Sequence, residues 1–405
     1  MDIYPVLASL KRNKVQAVLI VLEIALGFAI VSNAVFMISQ RLERMGRLTG
    51  MLDEEIVRIN VGGGGDNPSA RVRQDLANLR EIPGVKSATS LNHVPFDNSS
   101  WNGTVNLERE QRSPTLTAGV YLGENLVDAF GLKIIEGRNF TSEEYVDWEQ
   151  FNSAGANLRI PSVIITQEVA RRLFPGESAV GKDIYSWNPD NSPHRVVGVV
   201  ERLIRPNDSG APSEDGYSML LPMKDLTMGR FAIRTDPDQR ESVEKSAVAA
   251  LERSSAQRVI LESSSFSDVI REYYRKDRSM AWLLVALMGS LLVVTALGIF
   301  GLTSFWVSQR TRQIGIRRAL GATRGQVLRY FQTENFVLAT LGIVIGMIGA
   351  YGINQVLMNY YELGRLPVLY LPVGAITLWL VGQLAVYSPA RRATSVAPAV
   401  ATRNI

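Results

Sequence analysis

Four groups of residues in this 405-residue chain have the types and spacing to do chemistry. Gly176-x4-Gly181-Lys182 matches a phosphate-binding loop up to its last position, where Asp183 stands in place of the magnesium-binding Ser or Thr. The local order is also reversed. A helical pattern, Gln167 to Phe174, precedes the glycines and a strand-like run follows, whereas a phosphate loop runs from strand into helix. An aspartate here repels phosphate where backbone N–H groups should attract it, so nucleotide binding is excluded. His93 and His194 are the only histidines, too few for a His-rich metal site, and they read as surface or packing residues with no metal. Glu23 is a lone carboxylate in the apolar run Val15 to Ile38. It can be neutral, snorkel toward Lys14 or Arg310, pair with a second subunit, or serve in proton coupling if it lines a pathway. The fourth group, Ser308 to Glu334, carries six arginines (Arg310, Arg312, Arg317, Arg318, Arg324 and Arg329) against one acid, Glu334. On physics alone it is either a docking element or a loop that fixes topology. No nucleophile–base pair and no paired intramembrane carboxylate emerges, which disfavours a membrane enzyme.

The elements that must position these residues follow from composition and periodicity. Positions 41–279 carry 30 Lys and Arg against 35 Asp and Glu, whereas the remainder carries 13 against 4. The basic excess is therefore a topology signal at the chain's two ends, and nucleic acid is not a partner. Zero cysteines exclude disulfides and thiolate chemistry. Four apolar runs are long enough to span a bilayer: 15–38, 281–307, 335–358 and 368–387. Residues 1–14 have the spacing of an amphipathic helix in the cytoplasmic headgroup region, and the first run is too long for a cleaved signal peptide. Basic segments before span one, after span two (308–334) and after span four (388–405) all fall inside, which places both termini in the cytoplasm. A short outer turn, 359–367, joins the last two spans. Gly342, Gly346 and Gly349 have the small-residue spacing of close helix packing.

Between spans one and two, residues 50–265 read as a large α/β domain outside the cytoplasm. It opens with a strand at Glu55–Asn60, a Gly62–Gly65 loop, a helix from Pro68 to about Glu81, and a strand from Val85. A counterpart closes it: strand Arg230–Thr235, helix Asp238–Arg253, strand Arg258–Glu262. Pairing these two units, with an insert at about 110–225, brings the domain's ends together. Helical spacing continues past the spans as two stalks, 39–49 and 266–280, whose residues Leu42, Met45, Phe266, Ile270 and Tyr273 are expected to contact the other stalk or a second subunit of the dimer. The second stalk runs without Gly or Pro into span two, which predicts one continuous helix. Within 308–334 two short helices are expected. Gly321 ends the first and a Thr323-x-x-Gln326 capping box starts the second.

The run Gln309-Arg310-Thr311-Arg312-Gln313-Ile314-Gly315-Ile316-Arg317-Arg318-Ala319-Leu320-Gly321-Ala322 resembles the signature of MacB/FtsX-like ABC transporter permeases, R-x-x-E-I-G-I-R-x-A-x-G-A. Gln313 stands where that family has Glu. The tail, Pro389-Ala390 through Pro398 to Arg403, is similar to the family's closing phrase, and Asn125–Arg138 and Leu173–Lys182 are similar to phrases of its periplasmic domains. The resemblance implies a membrane protein with four transmembrane α-helices and a large α/β extracytoplasmic domain, built as a porter-like base with an inserted sabre-like subdomain. It also implies that Arg312, Gln313, Ile314, Gly315, Ile316, Arg317, Arg318, Ala319, Leu320, Gly321, Ala322 and Thr323 couple to a cytoplasmic ABC ATPase. ATP and magnesium belong to that partner, so this chain binds no cofactor.

The function so implied is export of antimicrobial, macrolide-like or peptide substrates from the periplasm by mechanotransmission, with the permease seated in a bacterial inner membrane. A second permease subunit completes a homo- or heterodimer surrounded by lipid, and a Gram-negative host adds a periplasmic adaptor and an outer-membrane channel. The alternative functions of the same machinery are lipoprotein release, transmembrane signalling and FtsX-type control of cell-wall hydrolases. The 216-residue outer segment favours export.

Overall fold

The first span sets the frame: α1 (Lys14–Met45) is a single apolar helix. The computed structural model describes residues 14–63, 67–97, 99, 101–153, 159–188, 190–207, 212–361 and 364–394. The expected amphipathic helix at 1–14 (Lys14 excepted), the middle of the glycine loop and the tail beyond Thr394 lie outside the described residues. The chain divides into two compact units, one holding residues up to Gly46 and from Lys276 onward, the other Arg47–Arg275.

The second unit opens with β1 (Ile56–Gly62), α2 (Pro68–Arg80) and β2 (Val85–Ser90). Asn67 caps α2 from a left-handed backbone (φ 57°), its side chain accepting from the Ala70 N–H, with Pro68 following where its missing N–H costs nothing. The insert then builds β3 (Asn102–Val105), β4 (Leu116–Gly123), β5 (Ile134–Gly137), β6 (Val146–Asp147) and β7 (Ser162–Thr166). After α3 (Gln167–Leu173) come β8 (Asp183–Tyr185), β9 (Pro193–Val200) and β10 (Ser218–Lys224). The unit closes with β11 (Arg230–Thr235), α4 (Arg240–Ser254), β12 (Val259–Ser265) and α5 (Phe266–Tyr273).

Two sheets result. The first has the order β12-β1-β11-β2 and interleaves the opening and closing β-α-β units, as the sequence pattern requires. Val57, Ile59 and Val61 alternate toward α2 and α4, whose Val72, Leu76, Leu79, Val243, Ala247 and Leu251 complete a buried core. The second sheet has the order β3-β4-β10-β7-β9-β5, with β6 on β10 and β8 on β9. The insert starts earlier than residue 110, because Asn102–Val105 pairs antiparallel with Leu116–Gly119.

The membrane unit continues with α6 (Arg275–Gln309), α7 (Thr311–Ala319), α8 (Arg324–Tyr361) and α9 (Tyr370–Thr394). Among the described residues, α1, α6, α8 and α9 are the helices long and apolar enough to cross a membrane. The glycine row of α8 is pressed onto α1. A Cβ at Gly346 would stand 2.7 Å from the Ala25 carbonyl oxygen, and one at Gly342 would stand 2.8 Å from Ile24. Asn33 of α1 reinforces this contact, donating to the Ala350 carbonyl of α8 at 3.0 Å.

Two expectations about the stalks are corrected. The segment 266–307 is not one helix, because the chain breaks at Tyr274 (φ −88°, ψ 8°). Tyr274 turns inward, 3% exposed, with its ring 5.4 Å from Phe96, and burying that ring wins over continuing the helix. The first stalk ends at Met45 rather than at Thr49, with the Gly46 N–H closing the last turn on the Leu42 carbonyl.

Candidate coupling site

The arginine-rich segment folds as two helices at a sharp turn. After α6 ends at Gln309, Arg310 leaves helical geometry (φ −99°, ψ 7°) and α7 begins. Gly321, at φ +99°, supplies the left-handed residue that ends α7. The capping box forms as the spacing predicts: Gln326 accepts from the Thr323 N–H at 2.9 Å, and Thr323 Oγ1 accepts from the Gln326 N–H at 3.3 Å. The second helix is not short, however. It is the first part of α8 and runs unbroken into the third span. The elbow therefore leads into one unbroken helix, Arg324–Tyr361.

One face of α7 is held by the chain's own bundle. Ile314 is buried within the same apolar cluster as Val327, Phe331 and Ala390, and Gly315 is buried beside it. Arg318 donates to the Thr394 carbonyl at 2.9 Å, satisfying the end of α9. The Arg317 guanidinium lies 5.2 Å above the Tyr330 ring, a cation–π contact. Of the coupling residues expected from sequence, Arg312, Gln313, Ile316, Arg317, Ala319, Leu320, Gly321 and Thr323 are exposed, and Ala322 is half-buried. Leu320 is 83% and Ile316 45% exposed, and Arg312, Arg317 and Arg324 of the same segment are exposed as well. Such a surface has no acid, nucleophile or metal ligand set.

Sequence reasoning missed the mount of this elbow. Glu334 accepts from Arg310 Nη1 with both carboxylate oxygens at 3.2 Å. The Arg310 guanidinium also stacks 5.6 Å from the Trp306 ring, and Trp306 Nε1 donates to Gln16 Oε1 of α1 at 2.6 Å. The signal was present in the sequence, since Glu334 is the single acid of a six-arginine segment. Arg310 is thus committed to Glu334 and not to Glu23. The Glu23 carboxylate instead lies against Gly298 of α6, where any Cβ would collide with it, and it has no ion pair or hydrogen bond among the described residues.

The other expected site residues disperse. Leu42 is exposed on α1 and Met45 is half-buried. Phe266 is corrected: it is fully buried and cannot serve as a dimer contact. It belongs with Tyr273, Tyr274 and Phe96 to an aromatic cluster inside the outer unit, while Ile270 and Tyr273 are half-buried. The phosphate-loop lookalike runs from α3 through Gly176 and Gly181 into β8. Lys182 pairs with Glu177 and covers the Phe174 ring at 4.5 Å, and Asp183 binds Arg195 at 3.0 Å. Both histidines are buried. His194 Nδ1 bonds the Ile160 carbonyl at 2.8 Å, and burial lowers its pKa to about 4. No group of three or more metal-ligating side chains occurs among the described residues.

Four apolar helices and a two-sheet α/β unit inserted after the first define a multi-span membrane protein with a large extracytoplasmic domain. The MacB-like periplasmic core domain model matches residues 17–256, and the FtsX-like permease C-terminal model matches residues 285–398. The chain belongs to the MacB/FtsX-like family of ABC transporter permeases. The macrolide export ATP-binding/permease protein MacB of Acinetobacter baylyi is 23% identical over 98% of this chain and 58% of its own length. The uncharacterized ABC transporter permease YvrN of Bacillus subtilis is 24% identical over 98% of this chain and 97% of that protein. Among solved structures, the periplasmic region of MacB from Actinobacillus actinomycetemcomitans aligns at 19% identity over 56% of this chain and 95% of that one, with a TM-score of 0.34. The chain spans about half the length of the MacB relatives it matches, 42% in one and 58% in another.

Proposed function

We propose that this chain is the permease subunit of an ABC efflux transporter that works by mechanotransmission. A separate cytoplasmic ATPase binds and hydrolyses ATP with magnesium, and its stroke is received at the elbow. The observation that carries this reading is the elbow's construction: an exposed Leu320 at the C-terminal end of a helix that Ile314 and Arg318 anchor, joined by the short turn at Gly321 to a spanning helix. A topology-fixing loop needs positive charge but no anchored apolar tip. The ATPase sits with both chain termini on the cytoplasmic face of the plasma membrane, the α/β domain lies outside, and a second permease subunit completes a two-fold assembly. Substrates of the macrolide-like, antimicrobial or peptide kind are taken from the outer side; the MacB relative of Acinetobacter baylyi is a macrolide export protein. A Gram-negative host supplies an adaptor and an outer-membrane channel.

The test is Leu320→Asp in the full chain, purified from its host. An ATPase subunit that co-purifies with the unmodified chain should be lost from the variant, while insertion and thermal stability stay unchanged. Equal recovery of the ATPase with both chains sinks the elbow assignment.

A further inference from the structure

We propose that Arg310 and Glu334 are a positioning pair that converts a push on the elbow into motion of α8. The inference rests on the reading above and names residues for which that reading has no role. Glu334 lies in the third turn of α8 with its side chain 1% exposed, and the Arg310 side chain is 15% exposed. Both carboxylate oxygens are engaged at 3.2 Å by one guanidinium nitrogen. Breaking a buried ion pair of this kind is costly, which holds the contact in place.

The location gives the pair its purpose. Arg310 is the residue between α6 and α7, where a hinge would otherwise form. Pinning it to α8 fixes the start of the lever, while its far end passes through Gly321 into the same α8. The elbow is thereby a loop closed on one helix, and force at Leu320 cannot be spent in swinging α7. The chain Glu334–Arg310–Trp306–Gln16 adds α6 and α1 to the same anchor. Asn335 lies buried beside the pair, and Gly382 of α9 leaves it room: a Cβ there would stand 3.0 Å from its amide nitrogen.

The experiment uses the full chain with its co-purified ATPase, and the absence of cysteine lets two labels be placed cleanly. Spin labels go on Leu42→Cys and Tyr360→Cys, both exposed at the ends of α1 and α8, and ATP is the probe. The unmodified pair should change its separation on ATP addition. Glu334→Gln should abolish that change while ATPase recovery and ATP turnover stay within about twofold, and Arg310→Lys, which keeps the charge, should retain most of it. A purely structural role would instead lower assembly and turnover together. If Glu334→Gln does not insert, the double variant Arg310→Gln with Glu334→Gln removes both charges and takes its place. A normal ATP-driven change in Glu334→Gln, or in the double variant that replaces it, overturns the inference and leaves the proposed function standing. No change in the unmodified chain overturns mechanotransmission and the inference with it.

Discussion

Arg41, in the last turns of α1, donates to the carboxylate of Asp277 in the first turn of α6, and Arg44 reaches the same carboxylate at 3.6 Å. Asp277 is only 8% exposed, so one acid serves two arginines at the end of the membrane unit opposite the elbow. This accounts for basic residues that follow span one, where the inside rule does not call for them. Asp277 also lies at a helix N-terminus, where negative charge is favoured. Asp277→Ala should lower stability by about 1–3 kcal/mol, because it removes the buried carboxylate that Arg41 and Arg44 share. Thermal unfolding in detergent measures it. Pairing Asp277→Asn with Arg41→Gln should recover part of the loss, and an unchanged melting temperature in the single variant would show that the acid is not needed.

The glycine face of α8 predicts a steric effect. Gly346→Val places branched carbons where a Cβ alone would be 2.7 Å from the Ala25 carbonyl oxygen and 2.8 Å from the Phe28 Cβ. Overpacking of this kind costs roughly 1–3 kcal/mol, and here neither helix can yield without losing the Asn33–Ala350 bond. Gly352→Val on the same helix meets open space and serves as the control. Equal melting temperatures for the two variants would contradict the packing.

Phe96 inverts a familiar order of substitutions. Its φ of +64° is left-handed, yet its ring is held 4.9 Å from Tyr273 and 5.4 Å from Tyr274. Removing the ring as Phe96→Ala should cost about 3–5 kcal/mol. Phe96→Gly loses the same packing but relieves the backbone, so it should be the more stable of the two by about 1 kcal/mol. Chemical unfolding followed by the outer domain's tryptophan emission decides the order.

His194 ties stability to pH. Its folded pKa of about 4 lies below the ordinary 6.5 because burial disfavours the charged ring. The unfolded chain therefore takes up the proton first. The contribution is complete above pH 6.5 and is lost as pH falls toward 4, amounting to roughly 3 kcal/mol at 1.36 kcal/mol per unit. His194→Gln should roughly halve the slope across that window, because His93, which burial lowers to about 3, is lost over the same range. A profile with unchanged slope between pH 6.5 and 4 would rule the group out.

Much of this was determined by the sequence alone. Span lengths follow from bilayer thickness, the interleaved β-α-β units from alternation and turn residues, and the elbow's caps from Gly321, Thr323 and Gln326, all of which are local or periodic signals. Tertiary structure decided where charges and rings find partners. Glu334 and Arg310 are 24 residues apart, Arg41 and Asp277 are 236 apart, and no periodicity links such positions. Likewise the helix pattern of 266–280 is sound locally, and it breaks only because Phe96, far away in the chain, offers Tyr274 a buried site. Short-range preferences are worth tenths of a kilocalorie per residue, whereas burying an aromatic ring or matching a charge is worth several times more. The larger, long-range terms decided which residues of the coupling elbow point outward and which hold it in place.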